Sequence, residues 1–197
     1  SQNFGIPENE FVQSAKEGHL FPDTYLIPKQ ATTENILSIF YNNFDKKYDD
    51  SLKTKARKLG LTEEEVVTLA SLVEREARNE SERKNVASIL LKRLKNDWPL
   101  QVDATVQYII GYQQKEKLWW KRNLTQDDLD VESPYNTYKN KGLPPTPICS
   151  PGLLSIQAVV EADPTTPYWF YLTDPSGKTH YSKTVEEHDA QVNQYLR

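Results

Sequence analysis

The stretch that most limits what this chain can fold into is residues 62–77. Thr62 and Glu65 stand in capping-box register, Ser/Thr followed three positions later by Glu, which satisfies two free amides at a helix start. Val66, Leu69, Ala70, Val73 and Ala77 then recur at helical spacing. A capped helix with a continuous apolar face must bury that face, so its partners have to come from the rest of the chain. One follows at once: Val86, Ile89, Leu90 and Leu94 predict a helix ending near Asn96, stopped by Trp98-Pro99. The polar run Asn79-Glu80-Ser81-Glu82-Arg83 between them reads as a turn or a continuation. Upstream, Thr33 is expected to cap a helix carrying Ile36, Ile39, Phe40 and Phe44. Downstream, Ser150-Pro151 is expected to open a helix through Leu154 and Ala158, with Ser as cap. Residues 168–173 predict a strand, Asp174-Pro175-Ser176-Gly177 a turn, and His180-Tyr181-Ser182 a return strand. Thr184 and Glu187 suggest a last short helix.

Two stretches lack this periodicity. Residues 1–30 read as irregular structure with short strands. Residues 100–151 are rich in Pro, Gly, Tyr and Asn, and a loop this long reads as a groove wall or lid, a partly ordered insertion being the alternative. The expected fold class is α+β: mainly helical, with short strands and a C-terminal hairpin. Residues 1–30 are taken as an N-terminal segment and 31–197 as the functional domain. With 197 residues, 37% hydrophobic and 26% charged, the chain can bury a sizeable core.

Composition also excludes partners and chemistries. A net charge of -4 argues against nucleic acid, although residues 115–122 are mildly basic. No apolar run is long enough to span a membrane. The chain opens on Ser1-Gln2-Asn3 and contains no Met, so it is expected to be a fragment of something longer. Cys149 is the only cysteine, and His19, His180 and His188 are not at metal-ligand spacing, so no metal or cofactor is expected. His180, beside Tyr181 on the hairpin, suits a structural hydrogen bond. There is no nucleophile elbow, Walker or dinucleotide glycine motif.

What remains are carboxylates and amides. Ala70, Glu74 and Ala77 share one face of the predicted helix, so small residues flank Glu74 and leave room for a ligand. Glu76 lies near Leu72 and Val73 and is expected on the solvent face, making Glu74 the first candidate for an acid–base group and Glu76 the second. Periodicity alone favours two ordinary solvated glutamates paired with Arg75 or Arg78 and does not by itself find an active site. Gln101, Asp103 and Thr105 group an amide, a carboxylate and a hydroxyl suited to sugar hydroxyls, or to local turn capping. Tyr135, Asn136, Thr137 and Tyr138, with the Gly142-Leu143-Pro144-Pro145 turn, suit a preformed groove wall or plain surface coverage.

Several motifs together resemble the YceG-like family. They are residues 18–25 (GHLFPDTY), 70–76 (ASLVERE), 100–106 (LQVDATV), 133–138 (SPYNTY) and 142–145 (GLPP), then Pro147-Ile148, Pro151-Gly152, and Gly177-Lys178-Thr179-His180-Tyr181-Ser182 with Glu187-His188. They keep family order over roughly residues 18–190. The resemblance implies an endolytic murein transglycosylase, a lyase with a lytic-transglycosylase-like catalytic domain at residues 31–197. It cuts the β-1,4 bond between N-acetylmuramic acid and N-acetylglucosamine in peptidoglycan glycan strands and leaves 1,6-anhydro ends. It puts the catalytic glutamate on the first acidic residue of the motif, here Glu74; Gln101, Asp103, Thr105, Tyr135, Asn136, Thr137 and Tyr138 are read beside it as groups that bind or orient sugar or position the glutamate. The resemblance further implies an upstream LysM-like module joined through residues 1–30, and a single N-terminal membrane helix. The site of action would be the extracytoplasmic face of the bacterial cytoplasmic membrane, with cell-wall synthesis proteins as partners. Val102, Ala104, Thr146 and Cys149 depart from the family pattern, and none removes the carboxylate.

Overall fold

A computed structural model describes residues 5–115, 117–121 and 123–196. Ser1-Gln2-Asn3, and Glu116 and Arg122 of the mildly basic run, lie outside the described residues. Among those described are nine helices: α1 (Glu8–Ser14), α2 (Thr33–Lys47), α3 (Asp50–Leu59), α4 (Glu63–Glu76), α5 (Glu80–Lys95), α6 (Asp103–Ile110), α7 (Gln126–Leu129), α8 (Leu153–Val160) and α9 (Val185–Tyr195). A single hairpin, β1 (Phe170–Thr173) with β2 (Thr179–Ser182), precedes α9. The class is α+β and mainly helical, as expected.

The capped helix is the centre of the fold. Thr62 Oγ1 accepts from the Glu65 amide, and the Glu65 carboxylate accepts from the Thr62 amide at 2.8 Å. Every residue of α4 from 66 to 73 is buried, on all sides rather than on one face. The reason is α8, a short apolar helix that wedges against both α4 and α5 and covers what would otherwise be the outer face. Leu69, Leu72, Leu90, Leu91 and Ile156 are fully buried together. At about 1.5–3 kcal/mol for each such side chain, this cluster dominates the stability of the unit.

Helix starts deviate from expectation in instructive ways. The cap of α2 is Thr32, in a reciprocal box with Asn35, while Thr33 is the first helical residue and its hydroxyl donates to Glu10. The run after Ala77 is a turn whose Asn79 caps α5. The cap of α8 is Gly152 rather than Ser150, and it offers no side-chain bond. Residues 8–14, expected to be irregular or extended, form α1, and no strand occurs among the described residues of 1–30. Part of that segment is built into the core: Phe21 is buried, and Gly18 sits against Val67 and Pro147. Residues 103–110, read as loop, form α6 because Asp103 and Thr105 sit inside the first turn rather than in an independent one.

The Gly18 contact makes a prediction. Gly18 has φ +88°, and a Cβ there would lie 2.6 Å from Pro147 Cγ and 2.7 Å from Val67 Cγ1. Gly18→Ala is therefore expected to cost about 3 kcal/mol, roughly 6–12 °C in Tm. Thermal unfolding followed by circular dichroism checks this, and an unchanged Tm would contradict it.

The hairpin pairs Phe170 with Ser182 and Thr173 with Thr179. Its turn is closed by Asp174, whose carboxylate accepts from the Ser176 and Lys178 amides and from His180 Nε2 at 2.8 Å. That is the structural role expected of His180. Among the described residues, no helix is long and apolar enough to cross a membrane.

Candidate active site

The last turn of α4 carries Glu74, Arg75 and Glu76. Residues two apart on a helix point about 200° away from each other, so the two glutamates leave α4 on opposite sides. They look onto different cavities that share no lining residue.

Glu74 faces the start of α8. Its Oε2 accepts from the Gly152 amide at 3.1 Å and from Ser155 Oγ at 2.6 Å, and Arg83 lies 3.7 Å from Oε1. Arg83 Nε also donates to Ser155 Oγ at 3.1 Å. Gly152 has no side chain to cap α8, so the carboxylate of Glu74 supplies the cap from another helix, with its charge at the positive end of the α8 dipole. The adjoining cleft, about 260 Å³, includes Pro22, Asp23 and Lys47. Nearby, the Cys149 thiol donates to the Ser71 carbonyl, and burial pushes it up to about 12, which leaves it unreactive at neutral pH.

Glu76 is not on the solvent face as expected. The hairpin folds back over that side of α4, and Tyr171 from β1 donates its hydroxyl to Glu76 Oε2 at 3.0 Å. The cavity in front of it has a volume of about 590 Å³. Burial, and then the negative charge of Asp103, push the Glu76 carboxyl up from 4.5 to about 7, against the opposing pull of the Tyr171 hydroxyl, the Ala104 amide and Arg75. A carboxyl that carries a proton for part of the time at neutral pH is what general acid–base chemistry requires.

Of the expected sugar-orienting residues, Gln101, Asp103 and Tyr138 share this cavity with Glu76. Tyr138 donates to Asp103 Oδ1 at 2.5 Å, and burial raises the Tyr138 hydroxyl further above its ordinary range. Gln101 is a non-glycine residue held at φ +52° by its amide bond to the Thr137 carbonyl. Such a left-handed conformation costs of order 1–3 kcal/mol, and here it sets Gln101 on the lining of the cavity that Glu76 and Asp103 share.

Thr105, Asn136 and Thr137 are buried scaffold and do not line this cavity. Thr105 Oγ1 donates to the Val102 carbonyl and meets Thr137 Oγ1 at 3.0 Å, while Asn136 Nδ2 ties the Leu129 and Val131 carbonyls. They hold the 131–140 loop against α6. Tyr135 bonds Thr146 and stacks on Tyr108, 5.2 Å between ring centroids, on another side of α6.

Sequence reasoning missed Arg93 and Tyr171. Arg93 is buried in α5, donates to the Trp169 and Leu100 carbonyls at 2.9 and 2.7 Å, and so joins the hairpin to the Gln101 loop across the cavity. The available signal was an arginine three residues after Leu90 in the apolar stripe of α5. Tyr171 carried no signal beyond membership of a strand.

The model of the YceG-like family matches residues 2–194. The endolytic murein transglycosylase of Bacillus subtilis (strain 168) is 34% identical over 189 residues, covering 95% of this chain and 50% of that protein. The endolytic murein transglycosylase of Streptococcus pneumoniae serotype 2 is 34% identical over 186 residues, covering 91% and 32%. The chain thus spans half the length of the first relative and about a third of the second. A crystal structure of a yceG-like protein from Listeria monocytogenes superposes with a TM-score of 0.77 at 34% identity, covering 92% of this chain and 58% of that one.

Proposed function

The chain belongs to the YceG-like family, and from that membership we propose that it cuts peptidoglycan glycan strands internally, without water, using Glu76 as its acid and base. The observation that carries the choice of residue is the Glu76 carboxyl itself: raised to about 7, held by Tyr171, and facing a cavity of about 590 Å³ beside Asp103 and Gln101. Glu74, which the family resemblance favoured, lines the smaller cleft with its Oε2 bound by the Gly152 amide and the Ser155 hydroxyl, and is the alternative.

The chemistry then runs in two steps. Protonated Glu76 gives its proton to the glycosidic oxygen between N-acetylmuramic acid and N-acetylglucosamine. The C1–O bond breaks, the N-acetylglucosamine side leaves as an alcohol, and C1 becomes oxocarbenium-like. The muramyl C6 hydroxyl then attacks C1 and returns its proton to Glu76, closing a 1,6-anhydro ring. One carboxyl serves both steps because they occur in sequence. Tyr171 keeps its hydrogen bond to either protonation state and is a positioning residue. Asp103, anchored by Tyr138, holds the Glu76 proton at neutral pH and offsets positive charge developing at C1.

A muramidase-type hydrolase using a carboxylate pair is the rival. Glu74 and Asp103 face different cavities, so the only pair this site offers is Glu76 with Asp103. Hydrolysis consumes water and leaves reducing ends. Digestion of glycan strands followed by mass analysis is expected to yield ends lighter by one water than reducing ends, and reducing ends alone would overturn the lyase reading. A non-catalytic murein-binding module would bind strands and release nothing. Because peptidoglycan lies outside the cytoplasmic membrane, we place the domain at the extracytoplasmic face, held by an anchor outside this sequence and working beside cell-wall synthesis proteins.

A further inference from the structure

A second aromatic cavity, about 450 Å³, opens at the other end of α6, lined by Glu17, Tyr108, Gly111, Trp119, Trp120 and Ile148. We propose that it is an additional sugar-binding subsite, with Trp119 as its platform, that holds the glycan strand away from the scissile bond. This rests on the reading of the domain as a glycan-cleaving enzyme.

Three observations carry it. Trp119 is 66% exposed, far more than a tryptophan serving only the core, and it packs against the exposed Tyr112 at 5.4 Å. The site is preorganised: Gln113 and Leu118 exchange two backbone bonds that close the loop, and Gln107 on α6 donates to the Lys121 carbonyl at 2.8 Å just beyond it. Polar groups flank the rings, since Tyr108 donates to Glu17 at 2.7 Å and that carboxylate can accept from sugar hydroxyls. A flat ring exposed beside a carboxylate and a hydroxyl matches a sugar, whose C–H face stacks and whose edge hydrogen-bonds.

Two links to the catalytic cavity, through Arg75 and through α6, favour the glycan over another occupant. Arg75 stacks its guanidinium 3.8 Å over the Trp120 ring centroid and is also among the charges felt by Glu76. Asp103, in the first cavity, and Tyr108, in the second, are both on α6, about 7.5 Å apart along its axis. An enzyme that cuts within a strand must grip sugars beyond the two that react.

The test uses the Glu76→Gln domain, which should bind without turnover, and as probes the β-1,4 tetramer of N-acetylglucosamine and glycan strands with and without their peptide stems. Calorimetric titration is expected to show about tenfold weaker binding for Trp119→Ala, with recovery in Trp119→Phe, which restores a ring. In the otherwise unaltered domain, Trp119→Ala should raise KM for long strands and leave kcat unchanged. Equal binding by all three forms would overturn the subsite while leaving the catalytic reading intact. If Glu76→Gln retains turnover, the catalytic reading fails, and the subsite is then judged on the KM of Trp119→Ala alone. Weaker binding only for strands that keep their peptide stems would assign the platform to the stem and overturn the proposal.

Discussion

Glu76→Gln is expected to lower release of anhydro-ended fragments by roughly 10²–10⁴-fold, the usual contribution of a positioned acid–base group. The amide keeps the size of the side chain and an acceptor for Tyr171, so the cavity stays in place while the transferable proton is lost. Glu74→Gln makes the contrast. It removes the charge at the α8 N-terminus and beside Arg83 but leaves an oxygen for Gly152 and Ser155. A loss of about 1 kcal/mol, or 2–4 °C in Tm, is expected, with most of the activity retained. Rates on glycan strands and melting curves for both variants decide the matter. A Glu74→Gln protein that is inactive with an unchanged Tm would return the catalytic role to Glu74.

The second large effect is in pH dependence. The folded-state value of Glu76, about 7, lies above the unfolded value near 4.5. Between these values the unfolded chain has given up a proton that the native state keeps, so stability falls as pH rises through the window and stays reduced above it. The contribution reaches roughly 3 kcal/mol above pH 7. Glu76→Gln removes the titration, so its stability relative to the parent should increase from pH 4.5 to about 7 and then level off. Urea unfolding at pH 4 and pH 8 measures this, and an equal difference at both values would rule it out. The same proton sets the rate. Cleavage should decline as pH rises through about 7, and Asp103→Asn, which removes a charge that raises the Glu76 value, should move the decline to lower pH. A decline at the same pH in that variant would mean that some other group titrates.

Much of this architecture could be read from the residues before any coordinates. The α4 capping box, the apolar stripe of α5 and the hairpin around Asp174-Pro175-Ser176-Gly177 are local signals, written within a few residues of where they act. The motif holding both glutamates was legible for the same reason, as were Gln101, Asp103 and Tyr138. The misreadings share a cause too. Asn136 and Thr137 look like sugar ligands in isolation, because a polar side chain in a loop carries no mark of whether it will face solvent or tie down backbone carbonyls. The α8 cap was placed two residues early because the group that caps it, Glu74, is 78 positions away in sequence.

The sequence by itself determined the helical class, the central capped helix and the family, since each rests on short-range spacing or on motifs in order. What each glutamate faces was decided by tertiary structure alone. Glu74 and Glu76 differ by two positions on one helix, and periodicity sees only that they point apart. The return of β1 over α4 and the entry of α6 bring Tyr171 and Asp103 to Glu76, while α8 brings Gly152 and Ser155 to Glu74. A carboxyl's proton affinity depends on the water removed from it and on the charges set beside it, and the folded chain supplied both from distant segments.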